Sequence, residues 1–528
     1  MPIAAAYYAR KGKPGAGAAV STTHSVPAPV GGLNAVSSIA AMPETDAVIM
    51  DNWFPQTTFV QLRNGYETHS TGLPGWVETV MGYANDTGTE KIFGISGTAV
   101  YDCTTAGAVG AAAVTGLANA RWEYVNVGVP GGSYLYAANG TDAPLLYDGS
   151  AWVKVTGVST PAITGVTTTL LRNPAVWKNR VWFIENNSNV AWYLPVQSIG
   201  GAATSFDLST QYRLGGYLQA ILTFSVSSAT TFDDYIGFLS SEGELAVYQG
   251  TDPDTPGLFN IVGIYRVGKP IGRRCWFKYG ADAVILCSDG LVSATKIIAV
   301  GLQQPEDAVS YKIQRLINAD IQAYSDNFGW QGVVYPLGNK IIINVPQNTN
   351  SRSHQYVMNS INSAWCSYGL ISTPWNATCF CVLGDNIYFG GNTTVAQCDT
   401  GQMDGTGQIT GTLQPAFSYV GSDRQKRFTM IRPLLQTSGT IQPALALNTD
   451  FNTVLPQGVP TFGPVNGPLW DVALWDVSYW ASGATVQKNW QNVGGVGFSA
   501  TVYLTIASNA AQVNLLALDY VYQLGGIL

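Results

Sequence analysis

From about residue 80 onwards, short apolar runs alternate with turns rich in Gly, Asn, Ser and Asp. Paired runs of this kind predict β-hairpins, because alternate side chains of a strand point to opposite faces of a sheet. The predicted hairpins begin near Lys91, Tyr134, Arg180, Tyr235, Ala283, Gly332, Gln355 and Asn386. Leaving out the one at Gln355, successive units recur about every 43–55 residues, near the spacing of four-stranded propeller blades.

We therefore expect an all-β chain in which residues 81–404 form a β-propeller of roughly six or seven blades. The hairpins at Gly332 and Gln355 would be two halves of one blade. An irregular array of β-sandwiches is the alternative architecture.

The residues before this array divide into two predicted segments. Residues 1–40 are an extended N-terminal arm, since residues 9–32 are rich in Gly, Ala, Pro and Ser and lack periodicity. Residues 41–80 are a platform segment with a short helix and a strand. Pro43 is at a favourable first helical position, Glu44 and Asp46 follow in the first turn, and Pro55 ends the predicted helix.

Two further stretches carry structural signals. Residues 305–321, PEDAVSYKIQRLINADI, predict a helix that packs on a blade edge, because apolar residues recur there at helical spacing. After about residue 405 the period fails, and residues 405–528 are predicted to form a C-terminal β domain that serves as platform or tip. Its last run alternates from Phe498 to Ile506 and predicts a half-buried hairpin. Residues 468–480 contain two WD dipeptides five residues apart, which is not the spacing of WD repeats.

The composition bounds the classes of function. The chain of 528 residues is 46% hydrophobic but only 11% charged, and its formal net charge is −7. Low charge combined with many aromatic residues suits subunits that cover one another, because interfaces are depleted in Lys and Glu. The negative charge argues against electrostatic binding of nucleic acid by the chain as a whole.

The sequence predicts neither a secretory signal nor a membrane span. The first residues place their charges after the apolar run, which is the reverse of a secretory signal. No apolar run approaches 18 residues, so no membrane span is expected.

Cysteine and histidine give no site with recognised spacing. The seven cysteines lack a C-x-x-C pair, so we expect buried free thiols in a protein assembled in the cytoplasm. The histidines His24, His69 and His354 have neither a nucleophile motif nor metal-ligand spacing around them. Phosphate-binding glycine loops are also missing from the sequence.

Carboxylates offer the best case for an enzyme. Asp233, Asp234, Glu242, Glu244, Asp252 and Asp254 fall within about 20 residues. Paired acids suit glycoside hydrolysis, but these stretches also have the composition of turns. Basic residues cluster at Arg10–Lys13, Arg273–Arg274 and Arg424–Arg427, where solvated strand ends are the simpler interpretation. We expect no catalytic residue, cofactor or metal.

The segment from residue 31 to residue 66 carries a resemblance to a known family. It combines a Gly-Gly-Leu-Asn turn, the stretch DAVIMDNWFP and the strand VQLRNGY, and it resembles the N-terminal signature of podovirus tail nozzle proteins, the tail tubular protein B family of short-tailed bacteriophages. The matching residues are Gly31, Gly32, Leu33, Asn34, Asp46, Ala47, Asn52, Trp53, Pro55, Arg63, Gly65 and Tyr66. Three further stretches are similar, less specifically, to the family's propeller and the β domain that follows it: NRVWFIENNSNVAWY, GELAVYQG and KRFTMIRPLLQTSG.

The resemblance implies a structural protein of the virion tail. Its expected partners are five further copies in a hexamer, the head-to-tail adaptor ring, tail fibre or tip proteins, and double-stranded DNA that passes without specific binding. A hexamer would carry a formal charge of −42, six times −7, which avoids the salt-dependent grip of phosphate contacts. The residues expected at assembly interfaces are Gly31, Gly32, Leu33, Asn34, Asp46, Asn52, Trp53, Arg63 and Tyr66.

Two alternative functions stay open at this point. A propeller that binds or hydrolyses host glycans would be distinguished by retention or cleavage of host polysaccharide. A tail hub that anchors fibres would be distinguished by its copy number in the particle.

Overall fold

The fold was analysed in a computed structural model, which describes residues 20–227, 232–300, 308–348, 352–372, 374–463 and 484–525. Strands dominate the described ranges. The α-helices found there are Ala294–Val300 and Gln314–Tyr324, with 3-10 turns at Thr168–Leu170 and Tyr311–Ile313. No helix within these ranges is long and apolar enough to cross a membrane.

Antiparallel strand pairings group residues 65–400 into seven consecutive sheets, which we number in chain order. Sheet 1 contains the second half of the long strand Gly65–Ala84, Glu90–Ser96 and Ala99–Asp102. Sheet 2 contains Glu123–Val129, Gly132–Ala138, Leu145–Tyr147 and Trp152–Lys154. Sheet 3 contains Leu171–Trp177, Arg180–Glu185, Val190–Tyr193 and Thr204–Asp207. Short strands Gly107–Ala108, Ile163–Thr164 and Gly201–Ala202 pair in parallel beside these sheets.

The remaining sheets follow the same up-and-down order. Sheet 4 contains Leu218–Ser227, Phe232–Ser240, Glu244–Gly250 and Phe259–Arg266. Sheet 5 contains Trp276–Tyr279, Asp282–Cys287 and Gly290–Ser293. Sheet 6 contains Gln331–Tyr335, Lys340–Asn348, Arg352–Asn359 and Trp365–Tyr368. Sheet 7 contains Cys379–Leu383, Asn386–Gly390 and Asn392–Thr400, and its fourth strand is the first half of Gly65–Ala84.

The first strand of each sheet contacts the first strand of the next, and that of sheet 7 contacts Gly65–Ala84. The seven sheets therefore form a closed ring, which confirms the predicted all-β propeller. The hairpins at Gly332 and Gln355 do share one sheet, as predicted.

One long strand closes the ring. Residues Gly65–Trp76 pair with Asn392–Thr400 of sheet 7, and residues Val77–Ala84 continue as the first strand of sheet 1. Because this strand belongs to both the first and the last sheet, its hydrogen bonds remove the free edge that an open ring would have.

The N-terminal and C-terminal strands form two further sheets. Sheet A orders Asp46–Asp51, Gly407–Pro415, Ala500–Ser508 and Ala444–Thr449. Sheet B orders Trp53–Pro55, Val60–Leu62, Val513–Leu524 and Lys426–Thr437, and Ser21–Pro27 also pairs with Val513–Leu524. The smaller strands are Gly32–Leu33, Met403–Asp404, Thr440–Gln442, Thr461–Gly463, Thr485–Gln487 and Gln491–Gly497.

Sheets A and B share one apolar core, and that core continues into the ring. It includes Trp53 and Leu62 from the N-terminal segment, Leu504 and Leu515 from the C-terminal strands, and Ile343 from sheet 6. The predicted platform segment and the predicted C-terminal domain therefore contribute strands to the same sheets. Residues 1–19 of the predicted arm lie outside the described residues, whereas Ser21–Pro27 is a paired strand.

The predicted short helix in residues 43–55 is wrong. Pro43 begins a turn in which the Asp46 amide donates to the Pro43 carbonyl at 3.0 Å, and Asp46–Asp51 and Trp53–Pro55 are strands. Pairing of Asp46–Asp51 with Gly407–Pro415 fixes the extended state, which the β-branched Val48 and Ile49 also favour.

The helix predicted for residues 305–321 is present from Gln314 to Tyr324, after the turn Tyr311–Ile313. Ile313, Ile317 and Ile321 are buried, as their spacing predicted. Residues 301–307 lie outside the described residues, and so do the WD dipeptides at residues 468–480.

The predicted final hairpin is wrong as a hairpin. Ala500–Ser508 pairs within sheet A, whereas Val513–Leu524 pairs within sheet B. Ala500, Val502, Leu504 and Ile506 are buried as their alternation predicted, but Thr501, Tyr503 and Ala507 are buried as well, so the strand is not half-buried. The chain crosses between sheets after Ser508. Periodicity reports which face is buried and does not report the pairing partner.

Candidate functional site

Asn52 stands at the break between the strands Asp46–Asp51 and Trp53–Pro55, and it has a φ of 60°. Its Nδ2 donates to the Ser372 hydroxyl at 2.6 Å and to the Thr410 carbonyl at 2.8 Å. Its Oδ1 accepts from Arg63 Nε at 2.7 Å and from the Gly369 amide at 3.2 Å. One buried amide thus joins the N-terminal segment, the end of sheet 6 and sheet A.

Arg63 continues this network towards the ring. Its Nη1 and Nη2 donate to Asp404 Oδ1 and Oδ2 at 2.8 Å and 2.6 Å. The guanidinium carbon lies 5.0 Å from the ring centre of Trp375 and 5.5 Å from that of Tyr368. A two-point ion pair with aromatic contacts is the geometry that a planar guanidinium supports and an ammonium group does not.

Asp51, the residue before Asn52, was not singled out by the sequence. Its carboxylate accepts from the hydroxyls of Ser367 and Ser372 and from the amides of residues 370–372. The carboxylate thereby accepts hydrogen bonds from the backbone amides of the loop after sheet 6 and connects that loop to sheet A. We call Asp51, Asn52, Arg63, Ser372 and Asp404 the joint cluster.

A second cluster surrounds the Gly31–Asn34 turn. Asn34 Nδ2 donates to Asp46 Oδ2 at 2.8 Å, and Lys312 Nζ donates to Asp46 Oδ1 at 3.0 Å and to the Gly31 carbonyl at 2.9 Å. A Cβ on Gly31 would lie 2.1 Å from Asp46 Oδ1, and one on Gly32, whose φ is 82°, would lie 2.5 Å from the Trp365 carbonyl oxygen. The two glycines are therefore required by close approach and by backbone conformation.

The other predicted interface residues contribute apolar contacts. Leu33 and Trp53 are buried in the shared core. Tyr66 packs edge-on against Phe389 of sheet 7 with ring centres 5.2 Å apart. Burial raises the pKa of the Tyr66 hydroxyl, and the nearby Asp404 raises it further.

The structure thus places the nine predicted interface residues within contacts of the same chain. Asn52 and Arg63 meet in the joint cluster, Gly31, Asn34 and Asp46 meet in the second cluster, and Leu33, Trp53 and Tyr66 fill apolar space. The burial that was expected from neighbouring subunits is supplied for these side chains by the ring and by the C-terminal strands. Their role in assembly stays a prediction.

A cavity of about 810 Å³ opens where the connections between sheets converge. Its wall includes Arg121 before sheet 2, Gln219 in sheet 4, Arg273 before sheet 5 and Phe328 before sheet 6. Turns within sheets 1, 4 and 5 complete the wall with Gly97, Ser241 and Ser288. Loops of this kind are where a rigid ring commonly carries binding residues. We call this space the central cavity.

Arg121 and Arg273 line the central cavity, and Arg274 shares an aromatic contact with Arg121. Nε and Nη2 of Arg121 donate to Glu78 Oε1 at 3.2 Å and 3.1 Å. The guanidinium carbons of Arg121 and Arg274 lie 4.5 Å and 5.3 Å from the ring centre of Phe328. Arg273 donates to the Asn139 carbonyl at 2.9 Å.

The sequence indicated only part of this wall. Arg273–Arg274 was noted as a basic pair and interpreted as a solvated strand end, whereas both residues are half-buried and Arg273 lines the cavity. Arg121 and Phe328 lie far apart in sequence, so no local pattern could connect them. The basic cluster Arg424–Arg427 lies at the start of the strand Lys426–Thr437. Within it, Lys426 is buried and donates to the carbonyls of Ser422, Arg424 and Phe498.

Four of the six carboxylates considered for glycoside hydrolysis, Asp234, Glu244, Asp252 and Asp254, make structural contacts. Arg180 Nη2 contacts Asp252 at 2.6 Å and Asp254 at 2.8 Å. Glu244 accepts from the amides of residues 213 and 214, and Asp234 accepts from the Ser225 hydroxyl at 2.7 Å. Hydrogen bonds and the Lys178 charge lower the pKa of Asp234.

The histidines and cysteines are also placed. His69 Nε2 lies 3.0 Å from the Cys103 carbonyl oxygen, and His354 Nε2 lies 3.0 Å from Asp320 Oδ2. All seven thiols are buried and unpaired, and burial raises the pKa of Cys103 to about 11 and that of Cys381 to about 12. In the described ranges, no cluster of three or more His, Cys, Asp or Glu side chains is arranged to hold a metal ion.

No family model and no curated protein matches the chain. Solved structures show distant similarity. BBS1N in complex with ARL6DN aligns at 9% identity and a TM-score of 0.38 over 63% of this chain and 96% of that one. The extracellular domain of the putative hybrid two component system BT4673 from B. thetaiotaomicron aligns at 14% identity and a TM-score of 0.38, over 69% of this chain and 43% of that one. YCF48 bound to D1 peptide aligns at 9% identity and a TM-score of 0.34, over 68% of this chain and 98% of that one. The fold assignment rests on the strand pairings described above.

Proposed function

We propose that this chain is a structural component of a short-tailed phage virion, in which six copies form a tail nozzle below the head-to-tail adaptor and genomic DNA leaves through the tube. The observation that carries the proposal is that the segment with the family resemblance, residues 31–66, holds the ring to the sandwich of sheets A and B. The residues that carry the resemblance therefore belong to the segment that connects the ring to sheets A and B, where substitutions would lower the stability of the fold.

The closed ring favours a rigid structural role. The strand Gly65–Ala84 belongs to sheets 1 and 7, and Arg63 of the joint cluster lies two residues before it. Force on the sandwich is thus transmitted to a ring without a free edge. A tube that carries DNA under pressure needs subunits that keep their shape.

Two exposed apolar surfaces support self-association. The outer strand of sheet 4 exposes Ile261, Val262 and Ile264 by 42%, 42% and 40%, and Leu258 just before it is 48% exposed. No strand of the described residues pairs with the outer edge of this strand. We call this the sheet 4 edge. Beside the sandwich, Val454, Leu455 and Val459 are exposed by 54%, 60% and 81%. A cyclic hexamer needs two different surfaces on each copy, one for each neighbour.

Charge is compatible with the passage of DNA. Each copy has a net charge of −7, so a ring of copies would not attract the DNA polyanion through its overall charge. Contacts with phosphates would slow ejection and make it depend strongly on salt.

The proposal is tested by assembly with the adaptor. The purified chain is mixed with adaptor rings and imaged by negative stain, and the copy number is measured in intact particles. Six copies in a tube that continues the adaptor axis is the expected result. A monomer that never joins the adaptor overturns the proposal, and three or twelve copies per particle instead support a hub that anchors fibres.

A further inference from the structure

The central cavity has the size of a small-molecule site. Its volume of about 810 Å³ falls within the range of roughly 300–1,000 Å³ that ligand pockets occupy. Its wall is made by connections before sheets 2, 5 and 6 and by the start of sheet 4, so it is held by the closed ring and not by one loop. A ligand there would meet a preformed site.

Charged side chains of both signs line this cavity, and the cationic ones exceed the anionic ones by one although the chain as a whole is acidic. Arg121, Lys269 and Arg273 line the wall together with Glu78 and Asp326, while the whole chain carries −7. Glu78 pairs with Arg121, and Glu242 lies 2.7 Å from Lys269 at the rim. Arg273 is different, because no carboxylate of the described residues is within ion-pair distance of it and it donates to a neutral carbonyl.

The guanidinium groups behind the wall strengthen this field. Burial lowers the pKa of the Arg172 guanidinium. The nearby Glu123 carboxylate raises this pKa, and the positive charge of Arg273 lowers it. Arg274 stacks on Phe328, and its buried Nη1 has no hydrogen-bond partner within the described structure. Several cations in one poorly solvated region favour an anion that can compensate them.

The rest of the wall is neither strongly charged nor uniformly apolar. Phe328 and Tyr217 offer aromatic surface, and Tyr217 is 37% exposed. Ser241, Ser288 and Ser325 add hydroxyl groups. A ligand with a carboxylate, several hydroxyls and an apolar ring face would use all three kinds of surface.

We propose that the central cavity binds a carboxylate-bearing sugar, with Arg273 holding the carboxylate and with Tyr217 and Phe328 offering aromatic surface to the sugar ring. This goes beyond the proposed nozzle and does not depend on it, since a ring of copies and a separate monomer would both contain the cavity. A planar guanidinium can donate two parallel hydrogen bonds to a carboxylate, which gives the site its selectivity for acidic over neutral sugars.

The test is isothermal titration of the full chain with galacturonate and N-acetylneuraminate, each compared with galactose and with inorganic phosphate. Saturable binding of at least one acidic sugar, with weaker binding of galactose and phosphate, is expected. Absence of binding by both acidic sugars overturns the proposal. Equal binding of galactose overturns the role of charge, and equal binding of phosphate overturns the sugar as ligand.

Variants then locate the site. Arg273→Gln is expected to weaken binding by about tenfold or more, because charge-assisted hydrogen bonds are lost. Ser325→Glu is expected to weaken it as well, since Ser325 lies in the cavity wall and the substitution adds negative charge there. Arg427→Gln, on an exposed position of sheet B, is the matched control and should bind like the unmodified chain. Unchanged affinity in both Arg273→Gln and Ser325→Glu would place binding elsewhere and overturn the proposal.

Discussion

The Arg63 guanidinium and the Asp404 carboxylate form a buried ion pair between residues that are 341 positions apart in the chain. The shorter of the two contacts is 2.6 Å, and the side chains are 0% and 4% exposed. Arg63 lies just before the strand that closes the ring, and Asp404 lies just after the last sheet of the ring. The pair therefore fastens both ends of the propeller at one point.

Replacing Arg63 with Met should destabilise the chain by about 3–5 kcal/mol, because the Asp404 charge would stay buried without a partner. Urea unfolding followed by tryptophan fluorescence measures the change. Adding Asp404→Leu to Arg63→Met should recover part of the loss, since two apolar side chains then replace the pair.

The matched control for this pair is Lys178→Met, which removes an exposed ion pair with Asp234. Its side chains are 34% and 45% exposed, so the expected cost is about 0–1 kcal/mol. Equal destabilisation by Arg63→Met and Lys178→Met would contradict the importance of the buried pair.

Asn52 should separate backbone strain from side-chain bonding. Asn52→Gly keeps the φ of 60° accessible and loses the amide hydrogen bonds, whereas Asn52→Ala loses the bonds and adds strain. Both variants should unfold at lower temperature, and Ala should cost roughly 1 kcal/mol more than Gly. Calorimetry of the two variants side by side is the measurement, and identical transitions would show that the left-handed conformation is not retained.

Gly65 should be intolerant of a methyl group. A Cβ there would lie 1.7 Å from the Met403 carbonyl oxygen, so Gly65→Ala must displace the backbone near Asp404 at a cost of about 1–3 kcal/mol or more. Hydrogen exchange should rise in residues 65–76 and 392–400, which pair to close the ring. Gly110→Ala, where no atom lies within 4 Å of the added Cβ, should leave exchange unchanged.

The seven thiols should be nearly unreactive in the folded chain. Burial raises the pKa of Cys381 to about 12, so the thiolate fraction at pH 8 is far below that of a free cysteine with a pKa of about 8.5. A disulfide exchange reagent should titrate seven thiols only after unfolding. Val158→Cys, at a position that is 95% exposed, should add one fast-reacting thiol, and rapid labelling of the unmodified chain would contradict the burial.

The sheet 4 edge should be required for ring assembly and not for folding. Ile261→Asp combined with Ile264→Asp places charge on exposed side chains, so the melting temperature should change little while association with further copies is lost. Analytical ultracentrifugation with adaptor rings measures assembly. Val158→Asp is the control, and hexamers formed by the Ile261→Asp, Ile264→Asp variant would assign the interface to another surface.

The segment of residues 31–66 shows what a resemblance can and cannot provide. Gly31, Asn34, Asp46, Asn52 and Arg63 were predicted to lie at assembly interfaces, and within the chain each makes a close approach or a buried polar contact. Their contacts lie at Lys312, Asp404 and Thr410, hundreds of residues away along the chain. Their partners could not be predicted from local spacing.

By itself, the sequence determined where most strands of the ring lie, because alternation and turn residues act over a few neighbouring positions. That was enough to predict the hairpins from Lys91 to Asn386 and the propeller. The tertiary structure decided which strands pair. It turned Asp46–Asp51 into a strand by supplying Gly407–Pro415 as its partner, and it divided Ala500–Ser508 and Val513–Leu524 between two sheets. It also brought Arg121, Arg273 and Phe328 to one cavity, because closure of a ring places distant connections side by side.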